Sequence, residues 1–202
     1  MKKTYWMTTA ALTGLLTSSL AFAANRTFTV ATQLEDRNVA TVENETGIEN
    51  FTGVTHKVAG TFQFDPTAKT GSGTLALDGR TIDTGVALRN EHMRSADWFD
   101  FDKSPEIKFV TTSVKFVSGD TYRIQGNLSL HGVTKAINAT ATVKLTAAND
   151  VTKMIGLGGD ALAMVTKFKI KLSDFNIRHM AMDAGRVSNE LTLTVKVIAT
   201  DK

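Results

Sequence analysis

The chain has 202 residues, 42% of them hydrophobic, and no cysteine. Disulfides, thiolate metal sites and cysteine nucleophiles are thereby excluded, while the length suffices for a core without covalent staples. The formal charge of +3 falls to +1 beyond residue 23, with 21 basic against 20 acidic residues, so there is no electrostatic case for nucleic acid.

The first element is "MKKTYWMTTAALTGLLTSSLAFA". A basic start at Lys2 and Lys3, a moderately apolar run and the small-x-small site Ala21-Phe22-Ala23 predict a signal peptide over 1–23, cleaved after Ala23. Thr8, Thr9, Thr13, Thr17, Ser18 and Ser19 make the run a poor spanning helix, so stable membrane insertion is not expected. Export without disulfides suits a periplasm. Residues 24–202 are one domain's worth of chain.

From there the hydrophobic period is two nearly everywhere. "VAGTFQF" sets Val58, Gly60, Phe62 and Phe64 on one face, and Leu75 and Leu77 follow. "YRIQGNLSL" sets Tyr122, Ile124, Gly126, Leu128 and Leu130 against polar neighbours. "AINATATVKL", "KFKIKL" and "LTLTVKV" repeat the pattern, with Phe168 and Ile170 on the apolar face of the second. Such alternation means strands with one dry face, paired antiparallel. "VTHKVAG", "DPTAKTGSG", "SGD", "HGVTK" and "IGLGGD" punctuate the runs with turn chemistry. About eight strand-like runs predict an all-β fold, a closed barrel or a sandwich; a barrel of about eight strands is just wide enough for one small ligand.

The connection from Thr84 to Phe109 breaks this rhythm. It is long and charged, yet carries Met93, Trp98 and Phe99 beside Arg89, Asn90, His92 and Arg94. Long connections in compact domains are functional or disordered, and aromatics argue against disorder. The stretch around Arg89–Asp102 is the only one beyond the first residues expected to make a helical turn or two, with Asp97 and Asp100 as caps. Arg89 and Arg94 either pair with Glu91 or Asp97 to stiffen the loop, or meet a ligand's polar head.

The string "LDGRTIDTG", running into "LRNEHMR", "FD" and "KSPEIKF" and followed later by "YRIQGNLSLHGVTK", resembles the YceI-like family over about Phe28 to Val197. Glu43–Gly60 departs from the family's common form and marks a variant branch; Asn149–Asp160 carries no family signature. The resemblance implies a lipocalin-like, eight-stranded antiparallel barrel, closed at one end, with an apolar tunnel for a polyisoprenoid or fatty-acyl chain. It makes Phe62, Phe64, Leu77, Met93, Trp98, Phe99, Phe109, Tyr122, Ile124, Leu128 and Phe168 the candidate tunnel walls. Arg89, Asn90, His92 and Arg94 become the candidate polar mouth.

Other chemistries have less to stand on. His56, His92, His131 and His179 form no ligand spacing. No G-x-S-x-G elbow is present, and "GLGGD" lacks the lysine of a phosphate loop. No catalytic residue, metal or cofactor is expected. The reading is therefore a periplasmic binder of a long-chain isoprenoid or fatty-acyl lipid rather than an enzyme, with a homodimer left open. The alternative is a filled β-core whose charged loop binds another envelope protein.

Overall fold

The computed structural model describes residues 25–202; the expected signal peptide lies outside them. Ten strands form one antiparallel sheet: β1 (Arg26–Val30), β2 (Val39–Asn44), β3 (Phe51–Thr55), β4 (Val58–Asp65), β5 (Thr70–Asp78), β6 (Glu106–Ser118), β7 (Thr121–Leu130), β8 (Val133–Thr146), β9 (Ala161–Lys171) and β10 (Glu190–Thr200). Their order is β1-β4-β5-β6-β7-β8-β9-β10-β2-β3, and pairing of β1 with β10 closes the ring. β1 and β2 both lie along β10, β1 beside β4 and β2 beside β3. β1 with β2 fills one rank of the wall and β3 with β4 the next, so ten strands make an eight-ranked barrel. The period-two faces explain why it closes: each strand has one apolar face to bury, and a closed ring turns these faces inward together while pairing most of the edges.

The two broken ranks are held by Asn38, 1% exposed. The chain leaves the wall after β1 as a 3-10 turn (Thr32–Arg37) and re-enters at β2. Across that gap the Asn38 side chain donates to the Ala31 carbonyl and accepts from the Ile198 amide. Its own carbonyl meets the His56 ring at the matching break between β3 and β4. A buried polar side chain is tolerated because its hydrogen bonds replace the missing ladder.

At the base of the barrel, short turns join β4 to β5 and β6 to β7, while residues 147–160 link β8 to β9. The last carries helix α2 (Asp150–Met154), capped by Asn149. Phe28, Leu162 and Ala199 fill this end, and Leu34, Leu157 and Ala161 plug it from below. Arg26 clamps it by bonding both Asp160 and Asp201. At the opposite end, the mouth, lie the β2–β3 loop (45–50), the β5–β6 connection (79–105), the β7–β8 turn at His131 and Gly132, and the β9–β10 connection (172–189). The β5–β6 connection contains the expected helix, now α1 (Ala87–Arg94). α2 and a four-residue helix α3 (Met180–Asp183) were not expected; both are too short to show a 3.6-residue stripe.

Candidate ligand-binding interior and mouth

The inward side chains do not fill the barrel. Phe62, Leu75, Phe109, Ile124, Met164 and Phe168 point inward yet stay partly accessible, because space rather than another side chain lies before them. Three spaces with shared walls result. A deep cavity of about 100 Å³ runs from Leu77 and Leu128 down to Phe64, Tyr122 and Leu162. A neck of about 40 Å³ above it is lined by Phe101, Ile107, Leu130 and Ile170. A mouth cavity of about 560 Å³ opens above that, between the two long connections. Deep cavity and neck share Leu77, Ile107, Leu128 and Leu193. Neck and mouth share Val42, Met93, Phe99 and Leu191. The walls of the lower two are almost wholly apolar.

Local sequence explains the shape. Gly126 on β7 leaves room for the Phe109 ring to lie flat against the strand; a Cβ there would collide with it. Phe109 and Phe168 then stack across the interior, centroids 6.3 Å apart. Gly79 seats the Phe101 ring in the same way beneath the mouth. Deeper down, Tyr122 meets Phe64 edge-on at 5.9 Å. Burial, with a smaller contribution from Asp120, raises the pKa of the Tyr122 phenol, so it stays neutral in this apolar setting.

The mouth is roofed by two segments. The β5–β6 connection sends Met93 and Phe99 down into the neck and Trp98 sideways. There Trp98 stacks on His179 of the β9–β10 connection, centroids 4.4 Å apart. His179 also accepts from the Ala181 amide and so caps α3, while Phe175 and Ile177 anchor the segment in the core. Glu49 in the β2–β3 loop takes Arg89 at 2.8 Å and Arg186 at 3.4 Å. The Arg89 guanidinium also lies over the Phe51 ring at 4.2 Å. Two cations share this one carboxylate, and Asp97 in the same lining balances the second charge; both arginines line the mouth cavity.

All eleven apolar candidate residues stand on these walls. Phe62, Phe64, Leu77, Phe109, Tyr122, Ile124, Leu128 and Phe168 line the deep cavity, Met93 and Phe99 the neck and mouth, and Trp98 the mouth. The polar four separate. Arg89 and His92 line the mouth cavity. Asn90 turns away, accepting from Thr84 and donating to Asp83, and Arg94 donates to the Ile82 carbonyl. The Asn90 amide is the largest cause of a lowered Asp83 pKa, with the Gly85 amide second. Expected partners also change: Arg89 pairs with Glu49, forty positions away, instead of Glu91 or Asp97. Nor do Asp97 and Asp100 cap α1, which precedes them; its first residue follows Val86, with no side-chain cap. Asp100 instead sits in a tight turn bonded to Lys103. The β9–β10 connection, with His179, Arg186 and Val187, was missed entirely. Its one sequence-level signal was a polar stretch too long for a hairpin, between two alternating runs.

The histidines are dispersed. His56 bonds the Asn38 carbonyl, His131 bonds the Phe175 carbonyl, His179 stacks on Trp98 and His92 stands at the rim. A separate open groove of about 430 Å³ lies outside the wall, flanked by the pairs Lys57–Glu35 and Arg80–Asp78.

A closed antiparallel barrel with a hollow apolar interior and a roofed mouth is a lipocalin-like barrel, the architecture that encloses one small ligand. The chain belongs to the YceI-like family, whose domain matches residues 26–199. Protein YceI of Salmonella arizonae is 38% identical over 141 residues, 68% of each chain, and that of Salmonella newport is equally similar. Among solved structures, BcnA of Burkholderia cenocepacia superposes with a TM-score of 0.71 at 22% identity, covering 85% of this chain and 99% of that one. A polyisoprenoid binding domain from Saccharophagus degradans gives 0.61 at 14% identity, covering 88% and 99%. The YceI protein of Campylobacter jejuni gives 0.61 at 17%, covering 100% and 99%. At these identities the structures share the fold.

Proposed function

We propose that this protein carries or sequesters one long apolar chain, of polyisoprenoid or fatty-acyl type, in the periplasm, as a binding protein without catalysis. The observation that carries the reading is the series of cavities with shared walls, from Trp98 and Phe99 at the mouth to Tyr122 near the base. It is supported by membership of the YceI-like family and by the fold shared with a polyisoprenoid binding domain. The periplasmic location rests on the export signal read over 1–23 and on the absence of cysteine. Among the described residues, no helix is long and apolar enough to cross a membrane.

The mechanism is physical. Each buried CH₂ contributes about 0.8 kcal/mol, so a chain of about 20 carbons offers roughly 16 kcal/mol of gross transfer free energy. Association and ordering remove much of it, and the remainder supports tight binding. The eleven apolar residues supply the walls. Arg89 and His92 meet the polar head, while Asn90 and Arg94 hold the connection that presents them.

Native mass spectrometry of the exported protein tests this. One long-chain lipid per polypeptide, released on denaturation, is the expected result. A bare polypeptide mass that takes up no prenyl or acyl chain on incubation would overturn it and favour a partner-binding protein.

A further inference from the structure

At the base, the barrel wall is incomplete at one place. β5 and β6 pair from Asp78 and Glu106 as far as Thr74 and Val110, and there the ladder stops. β5 continues on β4 back to Thr70, and β6 continues on β7 to Ser118. A bulge between Thr111 and Ser113 turns β6 at the point of parting. Two strand edges, Thr70–Gly73 and Thr111–Ser118, thus face each other at the base without a ladder between them.

Side chains close this slit instead. Lys69, in the left-handed region at φ 55° in the β4–β5 turn, places its ammonium 3.7 Å from the centre of the Phe116 ring. Phe116 in turn rests edge-on against Tyr122 at 5.5 Å. Behind them is the deep cavity, whose walls include Gly71, Ser72 and Val114, residues of the two edges. In front is an apolar lip, with Phe116 37% and Val117 51% exposed.

We propose that this slit is a second aperture of the interior, gated by side chains, through which the far end of a long apolar chain leaves the barrel. The proposal rests on the reading that the barrel carries such a chain. Its reason is volume. The mouth cavity, neck and deep cavity, about 560, 40 and 100 Å³, together hold roughly two dozen groups the size of a water's share of about 30 Å³. A long prenyl chain needs more room than that. Around the rest of the base the wall can widen only by breaking backbone hydrogen bonds; at the slit it need only part Lys69 from Phe116. The lip then shelters the emerging chain.

The test uses two reporters. Trp98 is the one tryptophan besides Trp6, so its emission reads the mouth. Val117→Cys, unique in a cysteine-free chain, carries an environment-sensitive fluorophore at the lip. Farnesol and undecaprenol should both change Trp98 emission, and undecaprenol alone should blue-shift the lip label. Lys69→Ala, an exposed change, should speed the undecaprenol response of the lip label about two- to fivefold and leave farnesol uptake unchanged. Undecaprenol binding read by Trp98 with a silent lip label would overturn the proposal. So would a label that responds to protein concentration alone, the sign of a second copy on the open edges. If neither alcohol alters Trp98, the carrier reading falls, and the slit with it.

Discussion

Trp98 and His179 lie in stacked contact, centroids 4.4 Å apart with 26° between planes, although they come from connections at opposite ends of the β6–β9 sequence. The contact joins the two roof segments over a cavity of about 560 Å³. Trp98→Ala should leave the β-rich circular dichroism unchanged, because the strands carry the core. It should weaken retention of a long-chain probe by about 1–3 kcal/mol, seen as faster dissociation. His179→Ala should act in the same direction and add little to Trp98→Ala, since both remove one contact. Release rates equal to wild type in both variants would mean the roof does not retain the ligand.

The rim charge makes a separate prediction. Glu49 holds both Arg89 and Arg186, and its removal frees two guanidiniums at the mouth. Glu49→Ala should favour a prenyl phosphate over the matching alcohol by about 1–2 kcal/mol relative to wild type. Competition of the two ligands for one fluorescent probe reads the ratio. Thermal stability should change little, because partly exposed ion pairs contribute about 0–1 kcal/mol. An unchanged ratio would remove Glu49 from head-group selection.

Asn38 should matter to stability more than its place between elements suggests. Asn38→Ala removes the bonds to Ala31 and Ile198 and leaves the Ile198 amide without its partner. A cost of about 2–4 kcal/mol is expected, a lost bond at each end plus an unsatisfied donor. Urea unfolding gives the value. A cost under about 0.5 kcal/mol, the range of ordinary surface changes, would show that the broken ranks hold without it.

Acid should remove the contribution of Asp160 to the base. The Ala148 amide and then Arg26 lower its pKa, so its contribution is present above the unfolded carboxylate value of about 3.9. It is lost as pH falls through the lower folded value. Asp160→Asn should therefore be less stable than wild type near neutrality, and the difference should close below about pH 4. Melting temperatures of both proteins across pH 2–7 check this. A difference that stays constant with pH would assign the effect to something other than ionisation.

Much of the barrel was legible because period two is a local signal. Tyr122, Ile124 and Leu128 turn inward in phase, and the "SGD" and "HGVTK" turns fall at Gly119 and at His131–Gly132, where φ is positive. The broken ranks were not legible. Nothing between Ala31 and Asn38 signals that the chain leaves the wall and returns to the same neighbour, β10, because that is decided by contacts 160 positions apart, such as Ile198 to Asn38. The same reason hid the partners of Arg89: adjacent acids were visible, but Glu49 is brought there by the β2–β3 loop. The second roof segment was lost for lack of pattern. Phe175 and Ile177 anchor it, yet "SDFNIRHMAMDAGRVSNE" keeps neither period two nor 3.6, and α3 is a single turn.

On the proposed function the interior, rather than the outer surface, takes up the chain. Ile124 lines the deep cavity and is only half-buried there, so Ile124→Trp should occupy the space with an overpacking cost of about 1–3 kcal/mol. Saturation binding of a fluorescent long-chain prenyl probe to the folded wild type and variant is the most direct measurement. One site per chain is expected in wild type, with at least about a tenfold loss of affinity in Ile124→Trp, equivalent to about 1.4 kcal/mol. Equal affinity and stoichiometry in the two proteins would contradict it and place the chain outside the barrel.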